Sequence, residues 1–125
     1  MLTAEAFRRI AVGMKDAHEG AHMGHPDFRA NGKIFATIHP DALFGMVKLT
    51  PEQQQEFVRA HPAVFAPENG AWGRAGCTSV RLDAVDEETL GEAMTLARQN
   101  AARAAALKPS KPSPPRKPAP SLRKP

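Results

Sequence analysis

Apolar positions along the first 107 residues follow two rhythms, and each change of rhythm marks an element. Phe7, Ile10, Ala11 and Met14 fall at i, i+3, i+4 and i+7. That spacing is one stripe of a 3.6-residue period and predicts an opening helix, with Thr3 as its N-cap. From His18 to Pro26 the helical stripe is gone, and a weak strand running into a turn is expected. Asp27–Ala30 and Lys33–Ile38 then flank Asn31-Gly32, a pair that tolerates the positive φ of a type I′ turn, so a hairpin is predicted. A plain two-residue loop sets Phe28 opposite Phe35 and Arg29 opposite Ile34.

Gly45–Leu49 reads as a further strand. Thr50-Pro51-Glu52-Gln53 opens a helix: Thr50 caps, Pro51 takes the first position, where no N–H is needed, and Gln53 completes a capping box. Phe57 and Val58 supply its buried side, and His61-Pro62 ends it. The glycine-rich stretch 67–76 reads as loop and turn, with a short strand around Trp72. Thr78–Leu82 alternates as a half-buried strand with Val80 and Leu82 inward. Asp86-Glu87-Glu88 begin the last helix, where acids suit the positive end of the helix dipole, and Leu90, Ala93, Met94, Ala97 and Ala101 form its stripe. The pattern is an α+β fold, helices on a mainly antiparallel sheet, in the order α, three to four strands, α, one to two strands, α.

Beyond Leu107 the composition changes. Residues 108–125 hold seven prolines, six basic residues and no acid. So little apolar surface cannot repay the cost of ordering, and a polyproline-II-leaning disordered tail is expected after a single domain at 1–107. This division reshapes the net charge of +4, because the tail carries +6 and the body −2. The suggestion of nucleic acid that a basic chain makes therefore attaches first to the tail. Its cations are Lys108, Lys111, Arg116, Lys117, Arg123 and Lys124.

One cysteine, Cys77, excludes an intrachain disulfide and suits a reducing compartment. The N-terminus lacks the pattern of a signal peptide, and no apolar run is long enough for a membrane span. A cytoplasmic protein without a membrane role is expected.

Chemical motifs are sparse. His18, His22 and His25 are spaced by four and three, but on a strand residues four apart lie about 13 Å apart, too far to share an ion. Neither a metal nor another cofactor is expected. Cys77 has no neighbouring signature of a nucleophile and reads as a small buried hydrophobe. The stretch Gly70–Gly76 lacks the lysine and hydroxyl ending of a P-loop. Trp72 reads as a cover for the core edge, with stacking on a base or a partner as the functional alternative. Arg29, Lys33, Lys48 and Arg81 fall on strands or at a hairpin tip, and Arg74 follows a glycine-rich turn. From such positions side chains reach phosphates.

The run His22-Met23-Gly24-His25-Pro26-Asp27-Phe28-Arg29, then Gly32-Lys33-Ile34-Phe35-Ala36-Thr37, resembles the signature of the MmcQ/YjbR family. So do Gly45 to Gln54, with Thr50-Pro51 at their centre, and Ala71-Trp72-Gly73-Arg74. The resemblance spans most of residues 5–103. It implies a fold similar to secretion-chaperone-like and CyaY-like α+β proteins, and a structural role for Gly24, Pro26, Phe28, Gly32, Phe35, Thr50, Pro51 and Trp72. It also implies DNA binding, by analogy with a double-wing motif. The expected function is non-enzymatic: weak, nonspecific DNA binding through Arg29, Lys33, Lys48, Arg74, Arg81 and the tail. The alternative is a protein-interaction module with no nucleic-acid role. A continuous basic face favours the first, and an exposed apolar face or groove favours the second.

Overall fold

The computed structural model describes residues 2–22 and 25–107. Helix α1 (Ala4–Val12) is capped by Thr3, whose hydroxyl accepts from the Ala6 amide at 3.1 Å. Strands β1 (Ala17–His22), β2 (His25–Ala30), β3 (Lys33–Ile38) and β4 (Phe44–Lys48) follow as an antiparallel meander. Helix α2 (Pro51–Ala60) has both hydrogen bonds of the capping box, Gln53 N to Thr50 Oγ1 at 3.1 Å and Thr50 N to Gln53 Oε1 at 3.0 Å. It ends at His61, the residue before proline, as its sequence requires. Then come β5 (Phe65–Pro67), α3 (Gly70–Arg74), β6 (Cys77–Arg81) and α4 (Glu87–Leu107). Asp86 accepts from the Thr89 amide at 2.7 Å at the start of α4, and that bond holds its carboxyl below the usual range.

The six strands form one antiparallel sheet in the order β1-β2-β3-β4-β6-β5. Antiparallel partners share a face, so Phe28, Ala36, Val47, Gly45 and Val80 point one way. α1 and α4 lie on that side: a Cβ at Gly45 would run into the Phe7 ring, and Leu90, Met94 and Ala97 of α4 complete the same core. All five residues of the stripe foreseen for α4 are buried. The opposite face carries Asp27, Thr37, Met46 and Ser79.

Three expectations need correction. Asn31 and Gly32 do form the turn, with φ of 56° and 78°, and Arg29 lies opposite Ile34, but Phe28 pairs with Ala36 rather than Phe35. A β-bulge between the Phe28 and Arg29 pairs places an extra residue in β3, which lets both phenylalanines be fully buried. Trp72 sits in a five-residue helix, not a strand; the strand before it is β5. On α2, Phe57 and Val58 are half-buried, and Gln54 is the buried residue. The expected tail at 108–125 and Gly24 lie outside the described residues. Among the described residues, no helix is long and apolar enough to cross a membrane.

Candidate functional site

Helix α3 is short, and its position is set by backbone contacts on both sides. Gly73 lies against the Glu68 carbonyl so closely that a Cβ there would collide with it. Gly76 has φ of +115°, and a Cβ there would meet the Leu49 carbonyl. Only glycine combines that dihedral with that approach. Beneath α3, the buried Gln54 amide donates to the carbonyls of Gly73 and Cys77, each at 3.0 Å. Leu49 N also donates to Gly76 O at 3.1 Å, joining the end of β4 to the end of the α3 turn.

Held this way, α3 presents Trp72 outward with 67% of its surface exposed, so it does not cover the core edge. A cleft of about 440 Å³ lies on one side of the ring. Lys33 at the start of β3, Lys48 at the end of β4, and Asn100, Ala101 and Ala104 of α4 line it, with Leu49 and Pro51 among its apolar walls. Asn100 fixes that wall by donating to Lys48 O at 3.1 Å and Gln53 Oε1 at 2.9 Å. A second cleft of about 380 Å³, lined by His25, Thr37, His39, Glu68, Asn69 and again Trp72, lies over the sheet face opposite α1 and α4. There the His39 ring meets Glu68 at 2.8 Å. His25 Nδ1 is buried and has no hydrogen-bond partner among the described residues.

The cations foreseen from sequence separate into two groups. Lys33 and Lys48 converge on the first cleft. Arg29 instead clamps Asp27 through two bonds, at 2.9 and 3.1 Å. Arg81 pairs with Asp83 at 2.8 Å. Lys48 lies opposite Cys77, whereas Arg81 is at the other end of β6, about 13 Å along the strand. Arg74 is exposed on α3, two residues after Trp72. The five residues therefore do not make one continuous basic face. The part that sequence reasoning missed is the α4 wall, and its signal was Asn100, a polar residue among Ala97, Ala101 and Ala104 on one side of the helix.

Cys77 lines both clefts but is buried, and burial pushes its thiol above the ordinary value, so little thiolate exists near neutral pH. Of the three spaced histidines, His22 pairs with His25 across β1 and β2, and His18 pairs with Arg29. Among the described residues, no three His, Cys, Asp or Glu side chains are grouped to hold a metal ion.

A family model described as YjbR matches residues 12–100. A crystal structure of the Deinococcus radiodurans protein DR2400, with a domain described as DUF419, is similar in fold with a TM-score of 0.66 and 21% sequence identity. The match covers 86% of this chain and 91% of that one. No curated protein matches.

Proposed function

Since the chain belongs to the YjbR family, we propose that it is a non-enzymatic, DNA-associated protein whose folded contact surface is the Lys33/Lys48 cleft beside Trp72. The five cations make no continuous basic face, so the reading is carried by a local feature, the convergence of two lysines and an exposed indole on one concavity. Ala104, near the end of α4, also lines that cleft, and the segment with six basic residues and no acid follows that helix in the chain. The body, at −2, has little long-range attraction for DNA, and the tail supplies it. Binding of this kind is weak, tolerant of sequence and sensitive to salt.

The test is anisotropy of a labelled mixed-sequence DNA with the whole protein and with residues 1–107, across salt. Six tail cations give a log–log slope of up to about −5. The truncated protein keeps weaker binding with a shallower slope, and Lys33→Ala with Lys48→Ala removes it. No binding by the truncated protein even at low salt would take the folded domain out of the reading. The second reading, a protein-interaction module, would then lead. It is favoured by the apolar share of the same cleft, from Leu49, Pro51, Ala101 and Ala104.

A further inference from the structure

We propose that the DNA held at this cleft is a single strand, with one base stacked on Trp72 and the adjoining phosphates at Lys33 and Lys48. The inference rests on the DNA-binding reading and narrows it. Four observations carry it.

First, the Trp72 indole projects from a closely packed stretch of backbone. Gly73 within its helix and Gly76 just after it lie so close to the Glu68 and Leu49 carbonyls that neither has room for a Cβ, yet two-thirds of Trp72 stays in solvent. An exposed aromatic ring is a platform for any base, because every base has a π face.

Second, the ring is a wall of both clefts, and their electrostatics differ. Lys33 and Lys48 lie on one side, and Glu68, joined to His39, lies on the other. Phosphate is attracted to the first and repelled from the second. That polarity runs the backbone along the lysines and turns the base toward Asn69, Thr37 and His25, all polar groups on the second cleft.

Third, the dimensions suit a strand and not a duplex. Clefts of about 440 and 380 Å³ are at the scale of sites that take one small molecule. Bases in a duplex are stacked on each other and turn only their edges to the grooves, which are read by protruding helices or ribbons. An indole on the wall of a cleft finds no free base face to stack on in a duplex.

Fourth, the arginine that would give a duplex-reading hairpin wing its phosphate contact is already engaged. Arg29, beside the hairpin tip, is bound by two bonds to the fully buried Asp27.

The experiment uses the full chain and its own fluorescence. There is one tryptophan and no tyrosine, so emission excited at long wavelength reports Trp72 alone. Titration with dT12 at low salt should quench that emission, and a 12-base-pair mixed duplex should bind more weakly without quenching. Trp72→Ala should lower affinity for dT12 by about 5- to 150-fold, and Trp72→Phe should retain most of it. Circular dichroism checks that both variants fold, as an exposed side chain allows. If strand and duplex bind alike and Trp72 stays unquenched, the inference falls while DNA association stands. If neither binds, the association falls with it. A preference for rU12 above tenfold would overturn the choice of DNA.

Discussion

Asp27 lies on a central part of the sheet with its side chain fully buried, and the Arg29 guanidinium makes that burial tolerable. Two parallel bonds match the fork of one group to the carboxylate of the other. A buried carboxylate left without a partner is costly, so removing the arginine exposes the fold to that cost. Arg29→Ala is expected to lower the urea midpoint clearly, more than Lys33→Ala does, while the affinity of the folded fraction for DNA stays unchanged. A midpoint equal to that of the parent, or a loss of DNA affinity matching that of the lysine variants, would contradict this assignment. From the sequence, Arg29 and Lys33 look alike, both basic and both beside a hairpin turn. Their roles diverge because strand alternation puts residues 27 and 29 on one face, two positions apart, and a carboxylate happens to occupy the first. The spacing was legible, but the burial that makes Arg29 a structural partner was not.

At the scale of elements, local chemistry was a reliable guide where it was self-contained. The Thr50–Gln53 box, the proline at the first turn of α2 and the Asn31-Gly32 turn each satisfy their own backbone, and each formed as its residues imply. The elements that escaped notice depend on something distant. The β3 bulge lets Phe28 and Phe35 both reach the core, a packing requirement that no turn residue encodes. α3 is too short to show a period, and Gly76 just after it packs against the Leu49 carbonyl from far back in the chain. Gln54 belongs to the same class. A glutamine on a helix reads as solvated, yet its amide serves carbonyls 19 and 23 residues away. Gln54→Ala should therefore cost roughly 1–3 kcal/mol, since two carbonyls lose a buried donor. Chemical denaturation measures it, and a change below about 0.5 kcal/mol would show that water replaces the amide. Because one of those carbonyls belongs to α3 and the other to the start of β6, the same variant should also increase amide exchange through Gly70–Arg74.

For the molecule as a whole, the core of the described residues runs from Phe7 in α1 to Ala101 in α4. Removal of residues 108–125 is accordingly expected to leave the thermal midpoint within about 2 °C of the full chain, by calorimetry at moderate salt. A larger fall would mean that the tail packs on the domain. The α+β class, the strand-rich first half and the long closing helix were legible as patterns. The cleft was not, because its walls come from stretches far apart in the chain, and only the insertion of β6 beside β4 brings α3 to Lys48. That strand order also has a consequence for a chain emerging from the ribosome. The first 48 residues contain α1 and four consecutive strands, each paired with its predecessor. Local pairings of this kind cost little loop closure and can assemble early. Lys33 and Lys48 are then already in place, but Trp72, and after it Asn100 and Ala104, have yet to be made. A half-synthesised chain presents two lysines on an unfinished sheet, and the concavity that distinguishes one ligand from another arrives only with the last helix.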